Sequence, residues 1–430
     1  MTCVCVIKPS LAGRRANDAL PPLLFAILRG LTPPDVRLIF IDENVEPVRF
    51  VPCDAVAISI DTFTAGRGYA LAARFRERSV PVILGGMHAT FCPDEAAGHA
   101  DSVVVGEAED TWGDVVADLK AGSLKPRYAG AGNADLASLR CDYSVYHGKH
   151  YPPVGIVQFG RGCRFNCEFC SIHAFYGTAI RTRPVVAVVD DFRQMPGKII
   201  FFADDNLLAD PVRLDELLVA LTPLKRRWVC QISVDAGKNR DLLRRLRLAG
   251  CVMVIMGLET LNRDNLRAMN KGVNRSVDYE TVLRNLRRSG IMLYGTFVIG
   301  YDGDGPGTAM ELAGFARRHG FAIANFNPLI PTPGCALYDR LGAEGRLLYE
   351  RWWDDPSYRY GDTAFRPIGM TPDQLRDGCR QARFSFYSLP GIFARFRGAN
   401  RSGLFQAATY WLINLISRAS IHAKQGRSLR

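Results

Sequence analysis

Short apolar runs alternate with helical patterns along most of the chain, and this alternation favours a parallel α/β architecture. Apolar runs of strand length cover residues 3–8, 36–42, 55–60, 80–85, 102–105, 155–159, 198–203, 228–234, 252–257, 293–299 and 322–328. Helical patterns fall between them, at residues 22–29, 68–77, 186–193, 211–221, 241–249, 278–289 and 308–319. Most of the runs are apolar throughout, as in strands whose two faces are both covered. We therefore predict a parallel sheet in each half of the chain.

The spacing of these runs divides the chain into four regions. Residues 1–125 predict a doubly wound, Rossmann-like domain, and residues 153–335 supply six strand–helix units, an incomplete form of the α/β barrel. Residues 126–152 lack clear periodicity and predict a linker, whereas residues 336–430 predict a helical region with a basic tail. No G-x-G-x-x-G follows the first strand, so a dinucleotide site is not indicated.

Three of the twelve cysteines form a C-x3-C-x2-C triplet directly after the first predicted barrel strand: Cys163, Cys167 and Cys170. Iron–sulfur clusters are normally held by four cysteines. Three thiolates leave one iron open to an outside ligand, much as catalytic metal sites keep an open position. A zinc site is the alternative, and it needs a fourth ligand, which His173 offers. The remaining cysteines are scattered through apolar runs, and we interpret them as buried core residues.

Polar residues follow the predicted barrel strands at the end where barrel enzymes carry out their chemistry. Asp204 and Asp205 follow the second strand, Asp235 the third, Glu259 the fourth and Asp302 the fifth. Because adjacent strand residues point to opposite faces, we expect only one of Asp204 and Asp205 to enter a site. The alternative for this pair is a turn that caps the next helix.

The triplet, with Phe169 before its third cysteine, resembles the signature of radical S-adenosylmethionine (SAM) enzymes. The six strand–helix units match the partial barrel of that family. The N-terminal region resembles the cobalamin-binding domain of the B12-binding radical SAM subfamily, and the chain is similar to the hopanoid-methylase-like group over about residues 3–395. The stretches that carry the resemblance are residues 80–90, 93–97, 100–109, 331–334, 353–355, 365–372 and 386–388.

The resemblance implies three cofactors and a set of contacts. Cys163, Cys167 and Cys170 would hold a [4Fe–4S] cluster whose open iron is chelated by SAM, which is then cleaved to a 5′-deoxyadenosyl radical. The implied SAM contacts are Phe169, Asp204, Ser233, Asp235 and Glu259. The implied lining of the cobalamin face is Ser59, Thr62, Gly85, Gly86, His88, Gly106 and Glu107. The double glycine suits a flat corrin, which needs close approach to the backbone, and we expect His88 to be a polar lining residue rather than a cobalt ligand.

One departure from other cobalamin proteins concerns the loop after the first strand. Cobalamin mutases and methionine synthase carry Asp-x-His-x-x-Gly there, and its histidine ligates cobalt. Residues 8–13 contain no histidine. Cobalamin would then bind without that ligand, or the domain has lost the cofactor.

The expected function is methyl transfer to an unactivated carbon of a hydrophobic or lipid-like small molecule, with a flavodoxin or ferredoxin type electron donor. The same cofactors also serve radical ring closure, rearrangement or oxidation without methyl transfer. A non-catalytic cobalamin or redox sensor is the alternative of another class.

The charge of the chain and the composition of its C-terminal region bear on its partners and on its location in the cell. The net charge is +11, and residues 390–430 hold seven Lys or Arg and no acidic residue. We expect no nucleic acid partner, and the absence of a signal peptide predicts a cytoplasmic protein. The apolar stretch 404–416 is too short to span a bilayer. With Arg395, Arg397, Arg401 and Arg418 around it, it predicts either a helix in peripheral contact with a membrane or a helix packed on the barrel.

Overall fold

Two six-stranded parallel sheets form the framework of the protein in a computed structural model that describes residues 1–16, 18–399 and 403–429. The predicted α/β class is confirmed, with a Rossmann-like sheet, a partial barrel and a helical C-terminal region in that order.

The first sheet contains β1 (Thr2–Lys8), β2 (Val36–Asp42), β3 (Ala55–Ser59), β4 (Val82–Gly85), β5 (Ser102–Val105) and β6 (Arg127–Ala129). Between them lie α1 (Leu23–Leu31), α2 (Ala65–Arg76), α3 (Met87–Phe91), α4 (Pro93–Ala97) and α5 (Trp112–Ala121). The strand order is β2-β1-β3-β4-β5-β6, so the winding reverses between β1 and β3. Ligands of such sheets bind outside the carboxyl ends of the strands at this reversal.

Strand β6 lies inside the segment that the sequence predicts to be a linker. It pairs with β5 from Val103 to Val105, and its central residue, Tyr128, is buried. A strand of three residues is too short to show a period of two, which is why sequence periodicity misses it.

The second part of the chain contains β7 (Val154–Val157), β8 (Gly160–Arg161), β9 (Arg181–Thr182), β10 (Ile199–Phe202), β11 (Arg227–Gln231), β12 (Cys251–Glu259), β13 (Met292–Ile299) and β14 (Ile323–Pro328). Its helices are α6 (Ser171–Tyr176), α7 (Val185–Gln194), α8 (Pro211–Leu221), α9 (Arg240–Leu248), α10 (Arg263–Ala268), α11 (Gly272–Arg275), α12 (Tyr279–Ser289) and α13 (Thr308–Arg318). The barrel sheet has the order β14-β13-β12-β11-β10-β7, and β8 and β9 form a separate antiparallel hairpin. The six predicted barrel strands are therefore all present, and β7 and β14 are open edges.

Local sequence explains where the barrel helices begin. The Asp210 carboxylate accepts the N–H of Arg213 at the start of α8, where Pro211 occupies the first turn. Asp278 caps α12 in the same way by accepting the N–H of Thr281. Such caps satisfy amide groups that have no partner inside the helix.

The C-terminal region consists of α14 (Ala336–Ala343), α15 (Pro372–Phe386), α16 (Leu389–Ala399) and α17 (Leu404–Lys424). It covers the open edge at β14. The Tyr387 hydroxyl accepts the N–H of Ala324 at 3.2 Å and donates to its carbonyl at 3.0 Å, and Asn414 Nδ2 donates to the carbonyl of Ala322 at 3.0 Å. An unpaired strand edge is a site for unwanted pairing, and these side chains occupy it.

Two of the basic residues predicted to face a membrane are instead used inside the protein. The Arg395 guanidinium is buried and donates to the carbonyls of Phe321 and Phe386 and to Asn414 Oδ1. Burial lowers its pKa to about 10. Arg418 donates to the carbonyl of Tyr387 at 3.0 Å.

Arg401 and the Arg397 side chain, the other two of the four arginines around residues 404–416, lie outside what the structure describes. Among the described helices, none is both long enough and apolar enough to cross a bilayer.

Candidate active site between the sheet and the cysteine loop

The three clustered cysteines lie on the loop between β8 and α6, which we call the cysteine loop (residues 162–170). Cys167 is buried, and Cys163 and Cys170 are partly exposed. Gly162 has a φ of 93°, and a Cβ atom at this position would lie 2.1 Å from the carbonyl oxygen of Ala179. Only glycine fits this close approach, so the sequence before Cys163 fixes how the loop leaves the β8–β9 hairpin.

Two buried carboxylates hold the backbone at the start of this loop. Asp204 accepts the N–H groups of Phe159 at 2.8 Å and Gly160 at 2.6 Å, and Asp205 accepts the N–H of Gly162 at 2.9 Å. Burial raises the pKa of Asp204 to about 7, although the two backbone donors act in the opposite direction. Both carboxylates of the pair therefore support the backbone that leads into the loop. Both Asp204 oxygens are engaged by the backbone rather than directed at a cofactor.

Glu168, between the last two cysteines, ties the loop to the C-terminal region. Its carboxylate accepts from Arg340 Nε at 2.5 Å and from the Tyr301 hydroxyl at 3.2 Å. Its carbonyl oxygen accepts the N–H of Leu337 at 3.1 Å. Sequence spacing does not single out Glu168, since its partners lie more than a hundred residues away along the chain.

Lys271 is the main site residue that sequence reasoning misses. Its Nζ donates to Glu259 Oε1 at 2.6 Å and lies 5.8 Å from the ring centroid of Phe169. A Cβ atom on Gly257 would lie 2.2 Å from Glu259 Oε1, so glycine leaves room for this pair. Burial alone would lower the pKa of Lys271, but Glu259 and the nearby thiols raise it. The only signal in the sequence is a lysine in a turn beside a glycine, which is too common to be specific.

Two predicted site residues that follow β11 each have a polar atom without a hydrogen-bond partner among the described residues. Ser233 Oγ and Asp235 Oδ1 are buried and make no hydrogen bond to any described residue. The other Asp235 oxygen accepts from Arg164 Nη2 at 2.7 Å, and Asn206 accepts the N–H of Ser233 at 3.2 Å. Asn206 Nδ2 also lies 4.0 Å from Cys163 Sγ, which puts this strand end beside the cysteine loop. Buried polar atoms are normally hydrogen-bonded, so these two fit the polar groups of a ligand.

A cavity of about 350 Å³ lies at the carboxyl ends of the first sheet, and we call it the interdomain cavity. Among the predicted residues, Ser59, Gly85, Gly86, Gly106 and Glu107 line it. Arg161, Phe175 and Tyr176 contribute the opposite wall from the barrel side. Gly106 has a φ of 89° and open space where a Cβ would be. At Gly86, by contrast, a Cβ atom would lie 2.5 Å from the carbonyl oxygen of Ile60, so close packing of the backbone requires this glycine.

Thr62 and His88, predicted to line the same face, lie away from the cavity. His88 is fully buried, with Nδ1 3.3 Å from Thr62 Oγ1 and Nε2 3.1 Å from Glu95 Oε1. Glu95 Oε1 also accepts from the Tyr69 hydroxyl and from Trp353 Nε1. Burial would raise the pKa of Glu95, but these hydrogen bonds outweigh it and lower the pKa to about 2. Both ring nitrogens of His88 thus bind side chains of the first domain, and Glu95 connects this group to Trp353 of the C-terminal region.

Glu107 joins the two halves of the site through a buried ion-pair network. Its Oε1 accepts from Arg161 Nη1 and its Oε2 from Arg181 Nη1, both at 2.6 Å, and Oε2 also accepts the N–H of Ala134. Arg161 Nη2 reaches Glu109 at 2.5 Å. Burial would raise the pKa of Glu107, and the two guanidinium groups lower it instead. The loop after β5 is therefore fixed to the residue that precedes the cysteine loop.

Comparisons with known proteins agree with this division. Residues 157–316 match the radical SAM superfamily, and residues 26–116 match the B12 binding domain. The chain is 28% identical to bacteriochlorophyllide d C-12(1)-methyltransferase of Chlorobaculum tepidum over 84% of this chain and 81% of that protein. It is 25% identical to hopanoid C-2 methylase of Rhodopseudomonas palustris over 77% of this chain and 66% of that protein.

A solved structure shares the fold over nearly the whole length. The radical SAM methyltransferase TsrM from Kitasatospora setae, solved with cobalamin and a [4Fe–4S] cluster bound, has a TM-score of 0.65. The match covers 99% of each chain at 14% sequence identity. At this identity the likeness concerns the fold.

Proposed function

This chain belongs to the B12-binding group of the radical SAM superfamily, and we propose that it transfers a methyl group to a carbon atom of a hydrophobic small molecule. The interdomain cavity carries the proposal. Its walls come from both domains, with Gly86 and Gly106 on one side and Arg161 and Tyr176 beside the cysteine loop on the other. A cofactor held on the first sheet in this cavity would lie against Arg161 and Tyr176, which flank the cysteine loop in the sequence.

The residues present fit the cofactors of the family. Cys163, Cys167 and Cys170 are the ligands we assign to a [4Fe–4S] cluster, since they leave one iron open. When bound, the cluster and SAM supply radical chemistry and cobalamin carries the methyl group, and such chemistry belongs to the cofactors rather than to side chains. A flavodoxin or ferredoxin type donor is the source of the electrons.

The chain's own groups bind and orient SAM in this proposal. Ser233 Oγ and Asp235 Oδ1 have no partner among the described residues. The Ser233 hydroxyl can donate or accept a hydrogen bond with the polar groups of SAM, and the Asp235 carboxylate can accept one. Lys271 and Glu259 form a charged pair beside Phe169, whose face suits a flat ring. Asp204 and Asp205 act on the loop backbone and hold the ligating thiols in place.

The substrate class is proposed from the relatives and from the surface. The relatives are named for a hopanoid and a bacteriochlorophyllide, which are hydrophobic molecules. Leu404, Leu412 and Leu415 on α17 and Phe393 on α16 are exposed apolar side chains. We assign to this outer face a peripheral contact with the membrane surface in which such a substrate dissolves.

The test is mass spectrometry of products formed with SAM that carries a deuterated methyl group. Anaerobically reconstituted protein receives a reductant and either a bacteriochlorophyllide or a hopanoid. We expect a labelled methyl group in the product, and no product from the triple variant Cys163→Ala, Cys167→Ala, Cys170→Ala. Formation of 5′-deoxyadenosine together with an unlabelled product would refute methyl transfer in favour of ring closure, rearrangement or oxidation.

A further inference from the structure

A second cavity, of about 550 Å³, lies inside the barrel sheet, and we call it the barrel cavity. It shares no lining residue with the interdomain cavity. Its strand side is mostly apolar, with Ile199, Phe201, Val229, Ile255, Met292 and Ile323 among the lining residues. Sites for small molecules are typically cavities of about 300–1,000 Å³ with mostly apolar walls and a few polar groups. The barrel cavity has the size and composition of such a site.

Helix α17 forms the other wall of the barrel cavity. Thr409, Ile413, Ser417, Ser420 and Lys424 line it at helical spacing, so one face of the helix is turned inward. The helix is held at its middle and at its C-terminal end. Asn414 binds the edge of β14, as described above, and Lys424 Nζ lies 2.8 Å from an Asp18 carboxylate oxygen.

One buried cation in this wall has no anionic partner. Arg383 of α15 is only 8% exposed and lines the barrel cavity. Its Nη2 is buried and makes no hydrogen bond to any described residue, and its Nε donates to the carbonyl of Cys379 at 3.3 Å. No ion pair formed within residues 1–16, 18–399 and 403–429 includes Arg383. A buried charge without a partner is costly, and a guanidinium is suited to a carboxylate.

We propose that the barrel cavity is a second binding site, for a hydrophobic small molecule with a carboxylate group, and that Arg383 is the contact for that carboxylate. The apolar body lies between the barrel strands and α17. Ile199, Met292 and Ile323 are the first residues of their strands, so the cavity lies mainly at the amino-terminal end of the barrel, opposite the end that carries the cysteine loop. The inference is independent of the proposed function. An acyl chain and a ring system with a carboxylate side chain share this chemistry.

Binding is measured on the full chain reconstituted with its cluster, and no turnover is needed. The probes are palmitate, an acyl chain, and pyropheophorbide a, a ring system, each compared with its neutral methyl ester. The variants are Arg383→Met, which removes the charge, and Ile413→Trp, which fills the cavity. Ala419→Trp is the matched control, because Ala419 is on the same helix but is exposed and does not line the cavity.

We expect at least one acid to bind about 10- to 100-fold more tightly than its ester, the range of a hydrogen bond to a charged group. Arg383→Met abolishes that preference, and Ile413→Trp weakens binding whereas Ala419→Trp does not. Selectivity for palmitate identifies an acyl chain, and selectivity for pyropheophorbide a identifies a ring. If Arg383→Met lacks the cluster absorbance and has therefore misfolded, the Ile413→Trp variant still tests the proposal.

The inference is overturned if neither acid binds, if the esters bind as well as the acids, or if the two tryptophan variants behave alike. Because no turnover is measured, its failure is distinguishable from failure of the proposed function. Acid-selective binding without methyl transfer would refute the function alone, and methyl transfer without acid-selective binding would refute this inference alone.

Discussion

Replacing Glu107 by glutamine tests whether the ion-pair network holds the two halves of the site together. Glutamine keeps the shape but removes the charge that Arg161 and Arg181 share. Removing one partner of a buried pair costs about 3–5 kcal/mol. Arg161 retains Glu109, whereas Glu107 is the carboxylate that Arg181 loses, so we expect the lower end, about 3 kcal/mol.

The readout is local, because a protein with several domains does not unfold in one two-state step. Hydrogen exchange measured by mass spectrometry reports the opening free energy of residues 102–109 and 159–170 separately. A loss of about 3 kcal/mol corresponds to roughly 100-fold faster exchange there. The control is Asp94→Asn, since Asp94 pairs with Arg127 but is 91% exposed, and exposed pairs contribute only about 0–1 kcal/mol.

The pH dependence has a definite sign. The folded-state pKa of Glu107 lies below its ordinary 4.5, so the network is fully stabilising above that pH and is lost as the pH falls through the lower folded value. The difference between wild type and Glu107→Gln should therefore shrink in acid. Equal exchange rates in Glu107→Gln and Asp94→Asn at neutral pH would refute the reasoning, because the buried network would then matter no more than a surface pair.

Two further predictions concern single side chains. Lys271→Met removes the ammonium group but keeps the length, and we expect SAM to bind about 10- to 100-fold more weakly by calorimetry; an unchanged affinity would contradict the assigned contact. Glu95→Gln should speed hydrogen exchange in residues 87–97 at neutral pH, since a pKa reduced from 4.5 to about 2 corresponds to at most about 3 kcal/mol. That stabilisation is present above pH 4.5 and is lost as the pH falls towards 2, so the wild-type and variant exchange rates should converge in acid.

All strands of both sheets except β6 were predictable, because most are continuous apolar runs buried on both faces. The cysteine loop and the glycines that line the interdomain cavity follow the ends of these runs, since loops at the carboxyl ends of parallel strands share one edge. What failed was the role of individual polar residues. Asp204 and His88 lie at the expected positions along the chain but point into the protein, where backbone amides and Glu95 bind them.

Long-range partners explain the residues that were missed. The role of Glu168 depends on its hydrogen bonds with Tyr301 and Arg340. The role of Arg383 depends on a cavity whose other wall is α17. Contacts of this kind leave no periodicity or spacing in the sequence, because they depend on how the C-terminal helices fold back over the barrel. Lys271 was missed for the same reason, since its position beside Phe169 appears only once the barrel is closed around the loop.

The cysteine loop is restrained from three directions, by Asp204 and Asp205 from below, by Arg161 from the first domain and by Arg340 through Glu168. None of these restraints uses a thiol. Small zinc domains, by contrast, fold only when their metal binds. Here the backbone of the loop is held by side chains outside the triplet, so replacing the thiols removes the ligands without removing these restraints.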